Sequence, residues 1–219
     1  SGLLDRCEQT ETCPKILEVF GASEFWYLHM SPGLVGMGSE ADIPLPPTVR
    51  RYYIPGTPHG GGRGGFSVTP SRVPTGPGNG ITWGRCTFAG IPMPYRETEQ
   101  ALISQFRQWV MHDVSMVPSR YPRLSDDTLV APTKRAMGFP TLPAIVASTA
   151  PDAPNGMANP IKDYDWGERL DYIDQRGIVD LQPPRVRGVF PAMVPRVNVD
   201  GNDLGGTPVV LHEAPLGTY

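Results

Sequence analysis

An α/β fold is predicted for this chain, and three features of the sequence predict it. Two short apolar runs, Lys15–Ser23 and Val49–Ile54, read as buried strands with polar loops just beyond them. One long segment, Arg96–Val114, carries its apolar residues at helical spacing. From Pro118 onward prolines recur every few residues and no second helix is convincing. The chain therefore divides at that point. Residues 1–117 hold the sheet and helix, and 118–219 form a Pro-rich extension that wraps another surface.

In the first strand, Ile16, Leu17, Val19 and Phe20 are the apolar core and Gly21 ends it. Ser23 and Glu24 follow directly. The second strand is introduced by prolines and stopped by Pro55-Gly56. His59 lies just past it, in the run "RRYYIPGTPHGGGRGGF". The segment 67–95 is a Gly/Pro/Thr-rich excursion. In the helix, Leu102, Phe106, Trp109, Val110 and Val114 share one face, and Glu97 and Glu99 suit the positive end of its dipole. His112 near the helix C-terminus is explained by the same dipole. Asp163–Asp180 allows one short helical turn. "PRVNVDGNDLGGTPVVLHEAP" reads as two strands joined at Asp200-Gly201, a favoured hairpin turn, with His212 in the second strand.

Composition narrows the class. The chain has 219 residues, 39% of them hydrophobic, with 25 glycines and 26 prolines. Aromatics are spread along its length, which favours a folded, loop-rich protein over a disordered one. A net charge of −3 gives no support to nucleic acid as a partner. No apolar run is long enough for a membrane span. The N-terminus is not a signal peptide as it stands. Cys7 and Cys13 lie close together across a polar loop and predict a short disulfide in an oxidising compartment, the alternative being two reduced thiols. No second cysteine pair supplies zinc ligands. Cys86 is left over, buried or paired outside this chain.

The glycines around His59 raise three possibilities: a catalytic base on a loop, a phosphate cradle, or a solvated turn. The cradle fails, because no lysine followed by serine or threonine is present and no helix follows directly. A calcium loop at "DGNDLGG" fails for want of alternating oxygen ligands and a distal glutamate. A catalytic histidine needs a loop to present the ring and a carboxylate to fix its tautomer. Glu24 is that partner by position, since both residues follow strand ends, where catalytic groups of open α/β sheets collect. Asp42 and Glu40 are rival acids. No G-x-S-x-G occurs, so a nucleophilic serine on a standard elbow is not in this chain.

The motifs "LLDRCEQTETCPK", "SEFW", "DIPLPPTVRRYYIPGTPHGGG", "QALISQFRQWV", "VPSRYPRL" and "VNVDGNDLGG…LHEAPLGTY" resemble a bacterial family of α/β-hydrolase domain proteins. The resemblance covers nearly the whole chain, with its motifs in order. It implies the C-terminal portion of an α/β-hydrolase sheet, the last strands plus one amphipathic helix, followed by a mostly irregular Pro/Gly-rich extension ending in a β-hairpin. It implies a secreted or periplasmic carboxylic ester hydrolase. Glu24 would be the triad acid and His59 the base, and the serine would lie on a preceding half or a second polypeptide. No cofactor is expected, and the substrate would be a small-molecule ester. The contrasting expectation is a non-catalytic, hydrolase-like structural or assembly subunit.

Overall fold

The computed structural model of the chain describes residues 4–26, 28–57, 70–75, 82–89, 93–140, 161–171 and 176–214. After a one-turn helix α1 (Asp5–Gln9) comes strand β1 (Ile16–Gly21), which runs straight into α2 (Ala22–Trp26) and then α3 (Pro32–Val35). Strand β2 (Val49–Ile54) lies parallel to β1, with Gly21 opposite Ile54 at their shared C-terminal end. A short third parallel contact forms on the other edge of β2. There Arg120 donates to the Arg51 carbonyl at 2.9 Å and accepts from the Tyr53 N–H at 2.9 Å.

Successive residues of a strand face opposite sides, so two neighbouring tyrosines build two different cores. Tyr53, 0% exposed, joins Phe20, Phe25, Leu34, Val35, Tyr121 and Leu129 on the α2/α3 side. Tyr52 joins Leu102, Trp109 and Met116 on the other side, with Leu17 and Val19 beside them. Those partners belong largely to α4 (Arg96–His112). The strand pair is thus covered on both faces, which is why its sequence reads as near-continuous apolar runs. One charged pair sits in the β1–β2 register. Arg51 reaches Glu18 at 2.5 Å and the Gly33 carbonyl at 3.2 Å, and lies over the Tyr121 ring.

The remaining strands pair antiparallel among the described residues: β3 (Pro70–Thr75) with β4 (Thr82–Ala89), β5 (Leu129–Val130) with β10 (Val194–Pro195), β6 (Ile161–Asp165) with β9 (Arg185–Phe190), and β7 (Leu170–Asp171) with β8 (Arg176–Gly177). A short helix α5 (Lys134–Met137) is capped by Thr133, whose hydroxyl accepts the Ala136 N–H, and is closed by Gly138 in the left-handed conformation. Cys7 and Cys13 form the expected disulfide, with Cα atoms 4.6 Å apart. Cys86 falls on β4.

Four expectations change. The excursion at 67–95 contains the β3–β4 hairpin. The described residues of 163–180 are strand and turn instead of helix: Gly167 turns at φ +104°, and Asp180 accepts from Arg169 Nε at 2.6 Å. The buried face of α4 is narrower than its periodicity suggests. Leu102 and Trp109 are buried and Phe106 half-buried, but Val110 is exposed, and the helix stops at His112, leaving Val114 beyond it and exposed. The Asp200-Gly201 turn forms, with Asn198 Oδ1 accepting the Asp200 and Asn202 N–H groups. It is closed by a single antiparallel bridge, Val197 with Asp203, and the expected second strand is instead a one-turn helix α6 (Val210–Glu213) carrying His212. Pro208 and the two glycines at 205 and 206 deny that stretch a regular ladder.

Candidate active site

The exits of β1 and β2 are fastened to each other. The Ala22 N–H donates to the Thr57 carbonyl at 3.1 Å, and the buried Thr57 hydroxyl donates to the Ile54 carbonyl at 2.7 Å. Glycine is required at Gly21, because a Cβ there would lie 2.2 Å from Thr57 Oγ1. Glu24 sits in the first turn of α2, and its Oε2 accepts the Gly21 N–H at 2.7 Å. Its backbone therefore stands beyond the C-terminal end of β1, one strand away from the chain that leaves β2.

A small concavity of about 200 Å³ opens at this end, lined by Val19, Gly21, Glu24, Thr57, Tyr95 and Glu99 among others. Burial, then the charges of Glu99 and Glu24, raise the Tyr95 phenol above its ordinary pKa. Around Tyr53 in β2 lies a second, partly buried polar cluster. The Tyr53 hydroxyl donates to Asp203, and the Trp26 indole N–H and Gly56 N–H face the same carboxylate and favour its charged form. Burial outweighs these donors and raises the Asp203 pKa to about 6. His212 approaches from α6: a Cβ on Gly56, at φ +66°, would lie 2.6 Å from its Cε1 and Nε2. Burial lowers the His212 pKa and holds its ring neutral near pH 7.

A family model of the alpha/beta hydrolase domain matches residues 3–219, almost the whole chain. The chain belongs to the alpha/beta hydrolase domain family. No curated protein and no solved structure matches it.

For an alpha/beta hydrolase domain, the order of features here is orderly: an acid after one parallel strand, then the exit of the next. Of the two site residues expected from the sequence, Glu24 lines the concavity, and His59 lies outside the described residues, which on this side end at Thr57. The rival acids stand elsewhere. Glu40 is exposed. Asp42 accepts the Leu124 and Ser125 N–H groups at 2.8 and 2.9 Å; burial opposes its charge, but those donors and Arg123 overcome it and lower its pKa. Sequence reasoning missed Tyr95, Thr57, Asp203 and His212, and took Glu99 for a dipole residue only. Thr57 and Tyr95 had a usable signal, since each adjoins an element end already assigned. Asp203 had none, because it meets Tyr53 across 150 residues of chain. Among the described residues no group of His, Cys, Asp and Glu could hold a metal ion, and no helix is long and apolar enough to cross a membrane.

Proposed function

We propose that this chain supplies the acid and base of a serine-dependent carboxylic ester hydrolase, Glu24 and His59. The nucleophilic serine comes from a preceding N-terminal half or a second polypeptide. The observation that carries the reading is the fastening of the β1 exit to the β2 exit through Gly21, Ala22 and Thr57. It holds Glu24 beside the turn from which the chain reaches His59 two residues later. In this mechanism His59 takes the proton of the attacking serine and returns it to the leaving alkoxide. Glu24 fixes the imidazole tautomer and stabilises the imidazolium. Oxyanion donors come from backbone N–H groups of the nucleophile-bearing segment. The substrate is a small-molecule ester that needs no cofactor. The Cys7–Cys13 disulfide supports a secreted or periplasmic setting.

A fluorophosphonate probe on the intact protein tests this. Serine labelling is expected in the wild type and lost in His59→Ala. Glu24→Gln is expected to lower kcat by roughly 10³–10⁴-fold, as when a triad acid loses its charge. Labelling that survives His59→Ala unchanged would refute the assignment.

One contact favours a second reading. Glu24 Oε2 already accepts the Gly21 N–H, a purely architectural bond available to a hydrolase-like assembly subunit without chemistry. Stable assembly with a partner and no phosphonate labelling in the wild type would decide for that reading.

A further inference from the structure

The C-terminal strap returns to the exit of β2 at several points, although more than a hundred residues separate them. The Thr207 N–H donates to the Tyr53 carbonyl at 2.6 Å. Gly206 is pressed so closely onto Tyr53 that a Cβ would lie 2.6 Å from its Cδ1 and 2.7 Å from its carbonyl oxygen. His212 lies against Gly56. Between these contacts Asp203 turns its carboxylate inward to Tyr53, Trp26 and Gly56.

The chemistry of that carboxylate is specific. An ionised carboxylate has only acceptor positions. Its three neighbours, a phenol O–H, an indole N–H and a backbone N–H, are all donors. Each belongs to a different part of the site: Trp26 to the helix that carries Glu24, Tyr53 to β2, and Gly56 to the turn from which the chain runs on to His59. One side chain thus touches the supports of both residues assigned above.

We propose that Asp203 is a positioning residue, a clasp that holds the Glu24 helix and the Pro55-Gly56 turn in one register across the β1–β2 end. The proposal rests on the hydrolase reading for the roles of Glu24 and His59. The clasp itself rests only on Asp203, Trp26, Tyr53 and Gly56. Asp203→Asn keeps the shape but replaces one acceptor oxygen by an NH₂ donor, which must then face another donor.

The test uses the intact native protein, including the segment that bears the serine. Wild type, Asp203→Asn, Tyr53→Phe and Asp127→Asn are compared; Asp127 pairs with Arg196 of the same strap at an exposed site and controls for loss of charge. Two readouts are taken: kcat and KM on 4-nitrophenyl acetate, and amide exchange of Gly56 and Thr57 by NMR. Asp203→Asn is expected to lower kcat about tenfold or more while KM stays within about twofold, because misplacement of the reacting groups acts on the chemical step. Exchange at Gly56 should accelerate by about tenfold as the turn is released. Tyr53→Phe should move both in the same direction by less, and Asp127→Asn should move neither. Unchanged kcat together with unchanged Gly56 exchange in Asp203→Asn overturns the proposal. So does a kcat loss accounted for by the unfolded fraction alone. If Asp203→Asn does not fold, Tyr53→Phe carries the same two readouts. A wild type that neither hydrolyses the ester nor takes a fluorophosphonate sinks the hydrolase reading instead. Gly56 exchange then decides the clasp by itself: faster in the variant supports it, unchanged rejects it.

Discussion

Asp203 concentrates the residue-scale physics of this protein, because it places an acid where burial and hydrogen bonding pull in opposite directions. Burial raises its pKa to about 6, and Tyr53, Trp26 and Gly56 only partly offset that. An acid whose folded-state pKa lies above its unfolded value binds protons more tightly when folded. Its stabilising contribution is therefore full below about pH 4 and is lost as pH rises through about 6. The difference in stability between wild type and Asp203→Asn should fall by about 2 kcal/mol between pH 4 and pH 7, most of what a shift of roughly two units supplies. Urea denaturation at the two pH values measures it, and a difference that stays flat would show that Asp203 is not buried as described. Tyr53 does not confuse the reading. Its phenol, raised by burial and then by Asp203 and Glu24, stays protonated throughout that window.

At the scale of elements, α4 shows how a helix is held by one anchor. Trp109 is buried against Tyr52, and two cations lie over its ring, Lys15 at 5.3 Å and Arg50 at 4.8 Å. Lys15 also donates to the Trp109 carbonyl at 2.7 Å and pairs with Asp113 at 2.6 Å, just where the helix stops in a left-handed residue. The helix C-terminus is thereby pinned to the start of β1. Trp109→Ala is expected to cost about 3–5 kcal/mol. Val110→Ala, one residue on but exposed, should stay within about 0.5 kcal/mol. Equal losses at the two positions, measured by denaturant midpoint, would mean that the exposed face of α4 is covered in the native particle.

That face and the strand pair lead to the scale of the whole molecule. Among the described residues β1 pairs only with β2, and its other edge takes no strand. Ile103, Val110 and Met111 leave exposed apolar residues on α4. Two parallel strands and one long helix are a small base for a sheet covered on both faces. The hydrolase reading assigns the missing strands to the segment that bears the serine. The native particle is then expected to have a mass well above that of this chain alone, as a longer polypeptide or a tight complex. Light scattering on native material checks this, and a lone folded monomer of this chain would count decisively against a split or processed enzyme.

Several features were legible in the sequence because their causes are local. Both parallel strands were, since strands buried on two faces leave unbroken apolar runs closed by Gly21 and by Pro55-Gly56. The position of Glu24 followed from its place after β1, and the disulfide from the closeness of Cys7 and Cys13. Local pattern failed where burial was decided from far away. Val110 and Val114 fit the apolar spacing in the sequence but are exposed, Val114 lying past the end of α4, and Asp180 pairs with Arg169 where a helical turn was expected. The sequence by itself determined the two parallel strands and the place of Glu24 just beyond the end of β1. Only the tertiary structure decided that Asp203, Gly206 and His212 close on Tyr53 and Gly56. The physical reason is that spacing encodes which face of an element is apolar, while a Pro- and Gly-rich strap has no such period. Its docking is set by donors and acceptors that meet only after the chain has folded back across itself.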